Sequence, residues 1–535
     1  MTVLATQKGR YIPGERIGLT LLRDGKALMA NSMEVSITEL ECSVTTHRFT
    51  LEGNDKIVLA LPPLVEGCYG IQARLLRGEE TMGYVGTAVN VGGDVLRYGF
   101  LSDFQAEDDS DVECMAKYHI DRVQFYDWSY RHDSLVAPKE EYTDMMGKRN
   151  NLSVIRQKIH ACRERGMLTM AYGAVYAASR GFWEEHRSWG LYSVQNKPMV
   201  FIGTFYYMDI ESPWREHLFG QYLNAMKKVG FDGIHMDTYG EPKYALTSTG
   251  ELRELEKGLP ALIRDADRTI KSEGYEPHLI FNNVSTWPVD ATMMEPQDAV
   301  YMELWPPMDR YRHLREAVHR AEPSGKPIVL AAYPAAFRTD TPERALYGEL
   351  FLSFAIALFG ATQLFLGEKD AVVTQGYYAD YTLLEPWQAD KIKAYQDFFV
   401  RFQGLLFDRS LKDISLTHCG GDNREYTCDT PYSLEGEADR LWLTLREGNG
   451  RKLIGLINLW GNDDFWNTGK EKPKPLTDIV LRILTVMPVD AVWFATPDVE
   501  MGSPVSLPFS CTETEYGAEL SIRVPWLDCC GLLWL

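Results

Sequence analysis

Between about residues 94 and 408, short apolar runs alternate with amphipathic segments, and this alternation constrains the fold more than any other feature of the chain. Runs at 122–128, 168–175, 206–211, 233–238, 278–284, 299–305, 326–334 and 361–367 read as strands. Helical periodicity separates most of them, as at 153–165, 213–229 and 309–321. The pattern is that of a parallel sheet, because parallel neighbours need a crossover long enough to hold a helix. A doubly wound sheet alternates in the same way, but eight strands in about 280 residues favour closure into a (β/α)8 barrel. A ninth run, 98–104, precedes the eight and is expected as a lead-in strand outside them. In that count the fourth strand ends at Asp237 and the sixth at Glu303.

The flanks differ. Residues 1–93 carry short alternating runs between turn residues, such as Glu34-Val35-Ser36-Ile37-Thr38 and Gly67-Cys68-Tyr69-Gly70-Ile71, and Gly92-Gly93 marks a boundary. After about residue 409 the helices stop and strands return, for example Leu441-Trp442-Leu443-Thr444-Leu445. The expected fold is therefore multidomain. An N-terminal immunoglobulin-like β-sandwich (1–93) and a C-terminal antiparallel β-sandwich (409–535) flank a central (β/α)8 TIM barrel (94–408). The most apolar stretch, 350–367, is broken by Gly360 and Gln363 and reads as a buried helix and strand, not a membrane span.

Within the barrel, strand alternation puts Gly233, His235 and Asp237 on one face of their strand, and Tyr301, Glu303 and Trp305 on one face of theirs. Both carboxylates end their strands, where α/β barrels place chemistry. Two such acids are what a retaining glycosidase needs, as nucleophile and general acid/base, with carboxyls ~5–5.5 Å apart. Strand-end caps or ion-pair partners would look the same in sequence. Trp305 and Tyr301 offer Glu303 the poorly hydrated setting that raises an acid's pKa. Asp232 and Asp298, at the opposite strand ends, read as structural. His235 fits either an orienting role or a core histidine. Tyr126-Asp127-Trp128, Tyr172, Asp209, Asn282-Asn283 and Tyr377-Tyr378-Ala379-Asp380 add polar and aromatic groups near other strand ends. From these, Tyr126, Asp127, Tyr172, Asp209, His235, Asn283, Trp305, Tyr378 and Asp380 are the expected substrate-binding residues.

Composition narrows the partners. A formal charge of −20 opposes nucleic acid and anionic membranes and suits a neutral substrate, although solubility alone is the simpler account of it. Aromatics at 12% suit sugar stacking and β-sheet packing alike. Nine cysteines without a Cys-x-x-Cys pair, and no Asp-x-Asp-x-Asp-Gly loop, give no reason to expect a metal or any other cofactor. Gly-x-Ser-x-Gly, His-Glu-x-x-His and Walker-type motifs are missing. The first ten residues lack a signal-peptide core, so a cytoplasmic location is expected unless a leader has been removed.

Gly230-Phe231-Asp232-Gly233-Ile234-His235-Met236-Asp237-Thr238-Tyr239-Gly240 resembles the nucleophile strand of glycoside hydrolase family 66, the dextranases and cycloisomaltooligosaccharide glucanotransferases. Val300-Tyr301-Met302-Glu303-Leu304-Trp305 resembles that family's acid/base strand, and 98–104 and 124–128 resemble the start of its barrel. The resemblance implies retaining endo-hydrolysis of α-1,6-glucan, with dextran or isomalto-oligosaccharides as substrate, Asp237 as nucleophile and Glu303 as acid/base. The insert of about a hundred residues that cyclising members carry has no counterpart between the strands, which favours hydrolysis over cyclising transfer. A non-catalytic glucan-binding protein on the same scaffold is the remaining alternative.

Overall fold

The computed structural model describes every residue except Met1, Asn54, 106–109 and Met487, and the side chain of Glu500. Eight parallel strands make the central sheet: β1 (Tyr98–Leu101), β2 (Arg122–Phe125), β3 (Leu168–Ala174), β4 (Gly233–Asp237), β5 (His278–Val284), β6 (Ala299–Glu303), β7 (Ile328–Ala331) and β8 (Thr362–Gln363). They pair in chain order. A parallel bridge between Phe100 and Gly367, just beyond β8, closes the ring onto β1.

Period-two alternation sorts the side chains. Phe100, Met170, Ile280, Tyr301 and Val329 fill the barrel interior. Val123, Phe125, Ile234, Met236, Phe281 and Met302 point outward into the layer under the helices. Each such side chain contributes about 1.5–3 kcal/mol by leaving water. The apolar stretch forms the helix Pro342–Leu358, capped by Thr341 and buried almost throughout. It is apolar all round because the C-terminal β domain covers its outer side: a Cβ at Gly455 would collide with Leu358. No helix among the described residues is long and apolar enough to cross a membrane.

Two strand expectations are corrected. The 98–104 run is not a lead-in strand, since Tyr98–Leu101 is the first barrel strand, parallel to β2. The 206–211 run is not a barrel strand. Phe205–Tyr207 pairs antiparallel with Ala177–Ala178 and Val200–Phe201 in a small sheet beyond the end of β3. The chain then turns at Asp209 and Ser212 into Trp214–Asn224, the crossover helix to β4. The two differences cancel, so Asp237 ends the fourth strand and Glu303 the sixth.

The flanking regions are two-layered. Residues up to Val91 form a three-stranded and a four-stranded antiparallel sheet around Ile17, Leu19, Val35, Ile37, Tyr69 and Ile71. The C-terminal region packs a larger sheet on a four-stranded one around Leu443, Leu456, Leu481, Ile483, Ile522 and Leu533. Both rest on the barrel: Arg401 donates to Thr38 Oγ1 (2.9 Å), and Lys391 pairs with Asp498 (2.7 Å).

Candidate active site

The C-terminal ends of the barrel strands open into a cavity of about 660 Å³. Asp237 and Glu303 both line it, as do Tyr126, Asp127, Tyr172, His235, Trp305 and Tyr378. β4 and β6 are separated by β5, whose alternation turns Ile280 and Asn282 inward. Asn282 therefore lies between the two acids. Its Nδ2 donates to Asp237 Oδ1 (2.7 Å) and to Glu303 Oε2 (3.2 Å). Because one nitrogen serves both, those two oxygens are separated by no more than the sum of 2.7 and 3.2 Å.

The other oxygens are held by phenols. Tyr172 donates to Asp237 Oδ2 (2.6 Å) and Tyr333 to Glu303 Oε1 (2.5 Å). The Tyr333 hydroxyl also meets that of Tyr378 (3.1 Å), which meets that of Tyr301 (3.0 Å). Tyr126 stacks on Tyr378 and donates to the carbonyl of Gly376. A Cβ at Gly376 would come 3.0 Å from the Trp305 ring, so a larger residue there would press on that ring. Beneath Asp237, His235 Nδ1 bonds the Tyr98 hydroxyl (3.0 Å), and its ring packs edge-on against Tyr301.

The electrostatics follow from burial without a cation. Asp237 and Glu303 make no ion pair among the described residues. Burial, and then the charge of Glu303, push the Asp237 carboxyl up to about 7 against donation from Tyr172 and Asn282. Burial raises Glu303 too, opposed by Tyr333, Trp305 and Asn282. Two buried acids this close oppose each other's ionisation, so the pair gives up its first proton more readily than its second. Burial also lifts Asp127 to about 7, with Lys148 working against it, and lowers His235 to about 3, so that imidazole is neutral. Asp127 sits in the left-handed backbone region at φ 50°, strain that occurs where a side chain must be aimed.

Three expected binding residues lie elsewhere. Asn283 points away from the cavity, donating to the carbonyls of Phe281 and Tyr301 and accepting from Thr292. Asp209 is held by Arg253 (3.0 Å) and the backbone of Glu211. Asp380 pairs with Arg338 and Gln375. None of the three lines the cavity. Alternation counted back from the register of Asn282 with Tyr301 would have chosen Asn282 over Asn283. Tyr333 and His132 carry no local signal. They enter because β7 and the loop after β2 converge on the same rim. One grouping of His, Cys, Asp and Glu among the described residues is close enough to share a metal: Asp498, Asp528 and Cys529. It does not line the cavity, and Asp498 already accepts from Lys391, Tyr395 and two backbone amides.

The sequence model of glycosyl hydrolase family 66 matches residues 6–530. A cycloisomaltooligosaccharide glucanotransferase of Niallia circulans is 21% identical over 696 aligned residues, spanning 99% of this chain and 71% of that protein. A dextranase of Streptococcus salivarius is 20% identical over 511 residues, spanning 79% of this chain and 60% of its own. The crystal structure of a Paenibacillus sp. cycloisomaltooligosaccharide glucanotransferase complexed with cycloisomaltoheptaose superposes with a TM-score of 0.90 at 18% identity, covering 100% of both chains.

Proposed function

The chain belongs to glycosyl hydrolase family 66, and we propose that it hydrolyses internal α-1,6-glucosidic bonds of dextran or isomalto-oligosaccharides with retention of configuration. Asp237 is the nucleophile and Glu303 the general acid/base. The observation that carries this reading is the single Asn282 amide bonded to both carboxylates. One oxygen of each carboxylate lies within hydrogen-bond reach of the same nitrogen, a spacing that suits the ~5–5.5 Å of a retaining pair.

In the first step Asp237 attacks the anomeric carbon as Glu303 gives its proton to the departing glycosidic oxygen. A glucosyl ester on Asp237 results. In the second, the Glu303 carboxylate takes a proton from water, whose oxygen displaces Asp237 and regenerates the free acid pair. The singly protonated pair supplies one carboxylate and one acid at the start. Tyr172 and Tyr333 fix the orientation of the two carboxyls, and the tyrosine-rich wall suits a neutral sugar. The names of the relatives support α-1,6-glucan as the substrate class.

Nuclear magnetic resonance of the first product tests the mechanism: an α-anomer is expected from an α-glucan, and a β-anomer would overturn it. Activity should rise steeply from isomaltose to isomaltotetraose, because a flexible α-1,6 chain needs several bound units to offset its ordering entropy. A second reading, transfer of the glucosyl group to a sugar hydroxyl, draws on the two relatives named as glucanotransferases. The 696-residue aligned span exceeds this chain's 535 residues, so that relative carries sequence without counterpart here. Chromatography of dextran digests separates the readings: linear isomalto-oligosaccharides support hydrolysis and cyclic ones support transfer.

A further inference from the structure

A second cavity is larger than the catalytic one. A cavity of about 880 Å³ lies between the N-terminal β domain and the C-terminal β domain, reached by Leu40 and Glu41 from one side and lined by C-terminal strands and turns on the other. We propose that it is a second glucan-binding site, for a neutral polyhydroxyl chain, which holds polymeric substrate to the enzyme.

Trp493 and Trp534 stand directly opposite each other on adjacent antiparallel strands and so share a face. Trp534 is buried, and its indole nitrogen donates to Glu41 (3.3 Å), tying the two domains together. Trp493 stays half-buried at the cavity wall, and Tyr516, on the turn between two C-terminal strands, is 61% exposed at its rim. Two aromatic rings thus remain open to a ligand in a concave site, in a class of enzyme whose substrate offers C–H faces to stack.

The polar groups fit hydroxyls better than a charged ligand. Lys452 is already taken by Glu447 (2.6 Å). Arg424 and Arg451 make no ion pair among the described residues, and Asp490 is an exposed carboxylate on the same wall. Free donors and a free acceptor of both signs surround the aromatic faces, as a ring of hydroxyl groups requires. Carboxylates outnumber cations along the wall, which disfavours phosphate or sulfate esters. Only a chain long enough to occupy both this site and the cleft gains from the second contact, through effective concentration.

The inference rests on the α-glucan reading of the cleft, and the test separates the two. Tyr516→Ala and Arg451→Ala change exposed side chains and should leave the fold intact, whereas Trp493→Ala removes the deeper contact. Migration in native gels containing dextran, run in an Asp237→Asn background so that nothing is digested, reads binding. Each variant should reduce retardation several-fold. In the active enzyme each should raise KM for dextran several-fold and leave kcat and KM for isomaltotetraose unchanged. Unaltered retardation and unaltered dextran KM in Tyr516→Ala and Arg451→Ala would overturn the second site. An enzyme inactive on dextran and isomaltotetraose would instead overturn the cleft reading, while the gels still report on the cavity.

Discussion

Strands β4 and β6 each carry an acid at both ends, and the two ends of the barrel treat those acids in opposite ways. At the N-terminal end, Asp232 takes two hydrogen bonds from the Arg163 guanidinium and two from the backbone and hydroxyl of Thr169. Asp298 meets His278 (2.8 Å) and Arg122 (3.9 Å). At the C-terminal end, burial raises both Asp237 and Glu303. Their partners are phenols and one amide, with no cation in contact among the described residues. Ion-pair and backbone partners commit a carboxylate to the scaffold. Neutral donors orient it and leave its proton free to move. The same residue type on the same strand is scaffold at one end and reagent at the other.

The largest test of this contrast is a pair of isosteric changes. Asp237→Asn should lower turnover of dextran by ~10⁴-fold or more, the scale for loss of an essential catalytic group. Asp232→Asn should leave kcat within a few-fold. Equal losses in steady-state kinetics would erase the distinction. Glu303→Gln comes next, with a fall of about 10²–10⁴ on dextran. Azide should restore much of the rate with a substrate whose leaving group needs no acid, and failure of that rescue would remove Glu303 from its role.

The shared donor and the phenol come after the acids. Asn282→Ala removes a charge-assisted bond of about 1.5–3 kcal/mol, so kcat should drop by roughly 10–100-fold. Asn283→Ala should spare kcat and cost stability instead. Tyr333→Phe deletes a donor that lowers the Glu303 pKa, so that pKa must rise and the basic limb of the kcat profile must move to higher pH. A limb that moves to lower pH would mean that another group controls it.

Much of this architecture is legible in sequence because it is local. Period-two alternation fixes which way His235, Asp237, Tyr301 and Glu303 face, and helical periodicity between runs fixes a parallel sheet. What sequence cannot express is closure. Tyr98–Leu101 becomes a barrel strand only because Phe100 meets Gly367, at the far end of the barrel's chain. Phe205–Tyr207 has the composition of a barrel strand, yet it pairs antiparallel with Val200–Phe201 and with Ala177–Ala178, outside the barrel. Asp209 and Asp380 resemble binding residues until Arg253, on the short strand Leu252–Glu254, and Arg338, on the short helix Ala336–Thr339, reach them. Tyr333 becomes part of the site only when β7 sets it beside Glu303.

The smallest expected effect concerns stability, and its sign differs between the two ends. The Asp237 carboxyl is raised to about 7 in the folded chain, against ~3.9 when unfolded. Between those values the folded state holds a proton that the unfolded state has lost. The contribution is therefore complete below about pH 4 and is lost as pH rises toward 7, above which a buried charge opposes folding by a few kcal/mol. Asparagine carries no charge at any pH, so Asp237→Asn should unfold a few degrees higher than the parent at about pH 8, and the gain should vanish near pH 4.5. Asp232→Asn should do the reverse at neutral pH. It weakens the bonds from Thr169 and the half-exposed pair with Arg163, whose guanidinium keeps the Gly230 carbonyl, which costs about 1 kcal/mol. Thermal unfolding of both variants across that pH range reads the two signs in one experiment. If Asp237→Asn is destabilised at pH 8 as much as Asp232→Asn, the C-terminal acids are holding the barrel together as the N-terminal ones do, and stability has not been given up there for reactivity.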